Sequence, residues 1–269
     1  MVKTVLVTGA SAGIGRATAI YLAQRGYKVY GAARRVELLH DLEEYGVKAI
    51  ALDVTDDNSI LSCISTILNQ DSRIDVLINN AGLGSYGALE DVSMAEAKNQ
   101  MEINLFGAAR LIQLVLPEMR KNKFGKIVNI SSIGGKVGLP LGSWYHASKF
   151  AIEGLSDCLR NEVKQFGIDV IVIEPGGTKS EMIQNGTADL MRISGKTVYK
   201  NLANAVAKSY AAQKEKAIEA VEIAKLIAKG IESKSPKTRY IASNAKPFLF
   251  IKKMVSDKLF DKLVMSQMK

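Results

Sequence analysis

Lys3-Thr4-Val5-Leu6-Val7-Thr8-Gly9-Ala10-Ser11-Ala12-Gly13-Ile14-Gly15 is the stretch on which the fold depends. Lys3 to Thr8 is almost wholly apolar, as expected of a strand buried on both faces of a parallel sheet. The glycine run follows at once, and a helical spacing with Ala17, Ile20, Tyr21 and Ala23 leads from it to Gly26. A strand, a glycine turn and a helix N-terminus in this order form an anion site. Backbone N–H groups and the helix dipole point at the anion, and the glycines let a pyrophosphate come close. The spacing is G-x-x-x-G-x-G, and its place between strand and helix gives it weight.

The same alternation continues outward. Strands are expected at Lys28–Ala33, Val47–Leu52, Ile74–Ile78, Lys126–Ile130, Ile168–Glu174 and Arg239–Ala242. Helical patterns separate them: Val36–Tyr45, Ile60–Leu68, one long helix Met94–Lys121, a helix from about Trp144 to Val163, and Ala217–Ile231. Strands alternating with helices predict an α/β, doubly wound Rossmann fold, a mostly parallel seven-stranded sheet with helices on both faces. No linker or repeat divides residues 1–269, so one domain is expected. Residues 179–210 break the rhythm and carry Met182, Leu190 and Met191, which suggests a lid over a substrate.

The second strand ends in Ala33-Arg34-Arg35. An acid at this corner would bind a ribose diol and select NAD, whereas arginine accepts the 2′-phosphate of NADP. Ala33 stands where the acid would be, and the Arg34 guanidinium follows it. NADP(H) is the expected cofactor.

Ser131 to Lys149, SSIGGKVGLPLGSWYHASK, carries the chemistry. Tyr145 and Lys149 stand four residues apart and share a helix face. The Gly/Pro-rich connection can fold Ser132 back toward them. Free tyrosine titrates near ~10, too high for neutral-pH acid–base work, and a neighbouring cation lowers that value. So placed, Tyr145 can pass a proton to or from a carbonyl or alcohol oxygen that Ser132 holds. Asn104 lies inside the long helix, where asparagine is a mediocre former.

Hydrophobic residues at 47% and charged ones at 23% exclude a disordered chain. No apolar run reaches the ~20 residues of a membrane span. The N-terminus moves straight into a strand pattern without a secretory signal's apolar core, so a cytoplasmic location is expected. Cys63 and Cys158 read as core thiols, and two distant histidines argue against a metal site. The formal charge of +9 is spread over lysines without a basic, aromatic-interleaved cluster, which argues against nucleic acid.

These residues resemble the short-chain dehydrogenase/reductase family from Lys3 to about Thr178. Thr8 to Gly15, including Gly9, Ser11, Gly13, Ile14 and Gly15, is similar to its cofactor motif. Asn79-Asn80-Ala81-Gly82 is similar to its sheet-stabilising motif. Asn104, Ser132, Tyr145 and Lys149 match its catalytic tetrad, and Pro175-Gly176 with Thr178 matches the segment that orients the nicotinamide. Asp53 and Val54 fall where the family contacts adenine. The resemblance implies that Tyr145 is the general acid in reduction and the base in oxidation. Lys149 would lower its pKa and bind the nicotinamide ribose, Ser132 would hold the substrate oxygen, and Asn104 would support a proton-relaying water. One departure is Ala12, where many NADP-preferring members carry a basic residue, leaving Ser11 and Arg34 to recognise the 2′-phosphate.

Phe150 to Gly154 and Asp257 to Leu263 resemble the branch with 17β-hydroxysteroid and retinol dehydrogenases. That implies a hydrophobic ketone or aldehyde, steroid-, retinoid- or lipid-like. The alternatives are a 3-oxoacyl thioester substrate and a non-catalytic NADP-binding sensor or scaffold. The resemblance also implies a homodimer or homotetramer. The amphipathic tail 246–269 is expected to pack its apolar side on the domain beside the substrate cleft or at an oligomer contact. The other reading is a membrane-surface anchor, with Lys252, Lys253, Lys258 and Lys262 toward lipid and Phe248, Ile251, Val255 and Leu259 buried.

Overall fold

The structure, a computed structural model, describes residues 2–179, 181–214 and 217–268. Ser180 of the expected lid, and Met1 and Lys269 at the ends of the expected domain and tail, lie outside the described residues. β1 (Thr4–Thr8), β2 (Lys28–Ala33), β3 (Val47–Ala51), β4 (Val76–Asn79), β5 (Gly125–Ile130), β6 (Ile168–Glu174) and β7 (Arg239–Ile241) form one sheet in the order β3-β2-β1-β4-β5-β6-β7. Every pairing is parallel, with Leu6 beside Tyr30 and Leu77, and Ile127 beside Leu77 and Val170. The expected doubly wound fold is therefore present, and its sheet is parallel throughout the described residues.

Period-two alternation divides the strand side chains between two cores. Val5, Val7, Ile171 and Ile173 face one side, where they meet α1 (Gly13–Ala23) and α8 (Ala220–Glu232) through Leu22, Ile223 and Ile227. Leu6, Leu77 and Ile127 face the other, against α2 (Asp57–Asp71), α4 (Gly107–Lys121) and α5 (Ser143–Val163). Val5, Leu6 and Val7 are fully buried, each worth about 1.5–3 kcal/mol of apolar transfer. Strand order reverses between β1 and β4, so a crevice opens at the carboxyl ends of those strands.

Two expected helices take other forms. Val36–Tyr45 is a 3-10 run, because its apolar residues Val36, Leu39, Leu42 and Tyr45 recur every third position. That spacing lines up in a 3-10 helix, and Leu39 and Leu42 are both fully buried. The long helix Met94–Lys121 is interrupted: α3 (Met94–Met101) passes through a π turn, Glu102–Phe106, before α4 begins at Gly107. A Cβ on Gly107 would stand 2.4 Å from the Val54 carbonyl oxygen, so the helix lies hard against the β3 exit. Cys63 is a core thiol, pushed up to about 12 by burial, but Cys158 is exposed on the outer side of α5, against the expectation.

The C-terminal third covers the crevice. α6 (Glu181–Ser194) and α7 (Lys200–Lys214) pack on each other, with Leu190, Ala203 and Val206 buried against Ala88 and Leu141. α9 (Lys246–Met254) and α10 (Asp257–Ser266) close the chain. Phe260 and Val264 are buried on Val137, with Phe248, Leu249 and Val255 packed around them. The tail thus does pack on the protein, as expected. The four residues named for a lipid-facing side divide, however. Phe248 and Val255 pack inward, while Ile251 and Leu259 stand exposed with Phe250, Met254, Leu263 and Met265. No helix among the described residues is long and apolar enough to cross a membrane.

Candidate active site

The crevice holds a cleft of about 340 Å³ lined by three groups of residues. Gly9, Ser11, Ala12, Gly13 and Ile14 come from the β1–α1 turn; Asn80 and Gly82 follow β4; Ser132, Tyr145, Lys149, Pro175, Gly176 and Thr178 follow β5 and β6.

The turn is built by geometry that admits only glycine. Gly9 and Gly13 hold φ of 67° and 54°, in the left-handed region. A Cβ on Gly15 would fall 2.2 Å from the Gly9 carbonyl oxygen and 2.4 Å from Asn80 Nδ2, so helix α1 closes directly onto the turn. Asn80 secures the arrangement: its Nδ2 donates to the carbonyls of Thr8 (2.9 Å) and Gly9 (3.2 Å). The N–H groups of Asn80 and Ala81 donate to Thr8 Oγ1. Ala81 itself packs into the core and is absent from the cleft lining. Ala12 precedes α1 with no side-chain cap, and the first turn of α1 carries no acid. Its first N–H groups therefore lack a side-chain acceptor at the cleft, the arrangement an anion completes.

At the β2 tip Arg34 and Arg35 are exposed, and the Arg34 charge reaches Asp53. Burial acts to raise the Asp53 carboxyl, but hydrogen bonds from Thr55 and the Arg34 charge outweigh it and hold it below the usual range. Val54 is buried under Gly107. None of these four lines the cleft; they stand at its β2–β3 edge.

On the opposite wall, Ser132 and Tyr145 both line the cleft. Burial raises the Tyr145 phenol, and the Ser132 hydroxyl acts to lower it. Lys149 is buried; its Nζ donates to the Ile130 carbonyl at 2.9 Å and lies 6.0 Å from the Tyr145 ring centroid. Burial pushes this ammonium down to about 8, opposed by the charge of Glu153. The expected lowering of Tyr145 by Lys149 is thus not the prevailing influence, which is desolvation.

Asn104 sits in the π turn, away from the cleft lining. Its Oδ1 accepts from the Leu83 N–H (2.7 Å), and its Nδ2 donates to the Leu83 carbonyl (2.8 Å) and Ser148 Oγ (2.9 Å). A side chain that straps a cleft-wall backbone to α5 explains why a poor helix former stands there.

Tyr86, Tyr210 and His146 line the cleft without having been singled out in the sequence. The Tyr86 ring centroid lies 5.3 Å from that of Tyr145 and 5.4 Å from that of Tyr210, so an aromatic wall from α7 reaches Tyr145. Tyr86 lies between glycines 84 and 87 in an aperiodic loop, which left no pattern to read. His146 Nε2 accepts from the Leu139 N–H, so Nδ1 carries the proton and donates to the Gly134 carbonyl. It pins the loop that bears Ser132.

The family model for short chain dehydrogenases matches residues 3–190. The chain belongs to that family. This short-chain dehydrogenase is 43% identical over 184 residues to a 3-ketodihydrosphingosine reductase of Bacteroides thetaiotaomicron, covering 68% of this chain and 66% of that relative. Its structure is similar to that of a short-chain dehydrogenase from Streptomyces avermitilis, with a TM-score of 0.82, 32% identity and coverage of 98% and 96%. It is also similar to a short-chain dehydrogenase from Sphingobium yanoikuyae in complex with NADPH, with a TM-score of 0.73, 26% identity and coverage of 94% of both chains. The short-chain dehydrogenase is an oxidoreductase.

Proposed function

We propose that this short-chain dehydrogenase uses NADP(H) to interconvert the carbonyl and alcohol forms of a hydrophobic ketone or aldehyde, lipid-, steroid- or retinoid-like. The observation that carries the reading is the convergence of Ser132, Tyr145 and Lys149 on one cleft beside an uncapped helix N-terminus. When bound, the nicotinamide supplies the hydride. The chain supplies the rest. The N–H groups of Ser11 to Ile14 would hold the pyrophosphate, and Arg34 with Ser11 the 2′-phosphate. Pro175, Gly176 and Thr178 would orient the amide, and Lys149 the ribose. Ser132 Oγ holds the substrate oxygen, and Tyr145 Oη gives it a proton in reduction or takes one in oxidation.

Leu83, Tyr86, Leu139, Met182 and Tyr210 give the cleft an apolar wall, which supports a hydrophobic substrate. The 3-ketodihydrosphingosine reductase of Bacteroides bears a name consistent with that class. Phe106 and Phe150 stand 52% and 48% exposed on the π turn and α5, which supports a homodimer or homotetramer through those elements.

The test is Tyr145→Phe. It is expected to keep NADPH affinity and lose about 10²- to 10⁴-fold in turnover across a panel of ketones and alcohols. Near-normal turnover would remove Tyr145 from the mechanism. Tight NADPH binding by the wild type without any turnover would indicate a sensor instead.

A further inference from the structure

His146 lines the cleft beside Tyr145, and the proposed reaction gives it no part. The residue is 6% exposed, and both ring nitrogens are engaged by backbone. Nε2 accepts from the Leu139 N–H at 3.2 Å, and Nδ1 lies 2.9 Å from the Gly134 carbonyl. A backbone N–H can only donate and a carbonyl can only accept, so the ring is neutral with its proton on Nδ1. Burial acts in the same sense and outweighs the Gly134 and Val137 backbone groups, which favour the charged ring. Two glycines make the slot for the ring. A Cβ on Gly142 would fall 2.8 Å from His146 Cδ2 and 3.0 Å from Nε2, and one on Gly134 would fall 3.0 Å from Nδ1. The His146 N–H also donates to the Gly142 carbonyl at 2.9 Å. Because an imidazole is rigid and planar, its two nitrogens fix the separation of Gly134 and Leu139.

Gly134 carries the link to Ser132. Ser132 precedes the 3-10 turn Ile133–Gly135, and its Oγ accepts from the Gly134 N–H at 3.0 Å. Gly134 is thus gripped at both its polar atoms, by Ser132 through the N–H and by His146 through the carbonyl. A Cβ there would also stand 3.0 Å from Tyr145 Cε1, so the turn lies directly against that ring. With one lone pair occupied, Ser132 Oγ keeps a proton to give, which is what a substrate oxygen accepts. We propose that His146 is a positioning residue for Ser132: through Gly134 it holds the Ser132 hydroxyl in place beside Tyr145, turned to donate into the cleft. The use of that proton on a substrate oxygen rests on the carbonyl–alcohol reading; the chain of contacts from His146 to Ser132 does not.

The experiment compares His146→Ala, His146→Asn and His146→Gln. An asparagine amide can donate to the Gly134 carbonyl as Nδ1 does, whereas a glutamine amide reaches toward Leu139 instead. His146→Ala is expected to lose about ten- to a hundredfold in kcat with NADPH affinity unchanged, as a displaced reacting group would. His146→Asn is expected to recover most of that loss and His146→Gln little of it. In a Ser132→Ala background, His146→Ala is expected to cost no more than about twofold, because its effect runs through the missing hydroxyl. A full loss on top of Ser132→Ala overturns the proposal. So does equal activity of the Asn and Gln variants, and that comparison decides if His146→Ala does not fold. NMR of protein with ¹⁵N-labelled histidine, the exposed His40 being assigned by His40→Gln, is expected to show His146 as the Nδ1–H tautomer. An Nε2–H tautomer or a charged ring at neutral pH overturns it. A wild type without turnover defeats the carbonyl–alcohol reading, and hydrogen exchange of the Gly134 amide then decides this one. Protection is expected in the wild type and His146→Asn and its loss in His146→Gln; equal protection in all three overturns the link to Ser132.

Discussion

The glycine corner and the helices that cover it meet over one cleft, yet they are held in opposite ways. At the corner the backbone faces the cleft and side chains are excluded: Gly9, Gly13 and Gly15 have no room for a Cβ or a conformation that disfavours one. The cover is made of side chains. α6 and α7 are seated by Leu190, Val206 and Tyr210, and α10 by Phe260 and Val264, while α9 and α10 keep large apolar residues in solvent on their outer faces. A feature every nucleotide site of this kind needs is built from rigid, local geometry. The helical cover is built from replaceable contacts.

Three variants break or sharpen that contrast, in falling order of effect. Gly15→Val places a branched side chain where a single Cβ already stands 2.2 Å from the Gly9 carbonyl oxygen. Overpacking of about 1–3 kcal/mol or more is expected, with NADP(H) binding lost; retention of binding in a fluorescence titration would show that the corner can open. Ala33→Asp with Arg34→Ala is expected to reverse the preference for NADPH over NADH. Loss of one charged contact costs about ten- to a hundredfold, and competing steady-state kinetics measure it. If the unaltered protein uses both cofactors equally, Arg34 is not the reader. Leu259→Glu with Leu263→Glu changes only the outer side of α10, so unfolding free energy should stay within about 0.5 kcal/mol and the solution mass unchanged. A shift in mass by light scattering would mean that a partner copy covers that face.

The corner was legible in the sequence because its signals are local. Seven residues from Gly9 to Gly15 state both the turn and the helix start, and Ala33-Arg34 marks the end of β2. Tyr145 and Lys149 were legible for the same reason, being four apart on one helix. Other parts depend on contacts that sequence spacing does not contain. Tyr86 and Tyr210 meet across 124 positions of chain, and Arg239 reaches Glu153 across 86. The 3-10 run did carry its period of three in Val36, Leu39, Leu42 and Tyr45, but ten residues of mixed polarity suit an α-helix as well. Cys158 was read as a core residue from helix periodicity; it lies next to Asp157 on the side of α5 turned outward.

The π turn at Glu102–Phe106 has a consequence for how this chain tolerates change in length. One turn of i→i+5 bonding accommodates one residue more than an α-helix would. The face of α4 that meets the sheet is therefore out of phase with that of α3 by about 100°, the rotation of a single residue. Removing one residue between Met101 and Gly107 would heal the helix and turn one half against the other. Either Asn104 would leave Leu83 and Ser148, or Leu111, Val115 and Met119 would leave the core. A segment that looks like the simplest helix in the molecule is thus the one least able to lose a residue, and its irregularity keeps two distant contacts in step.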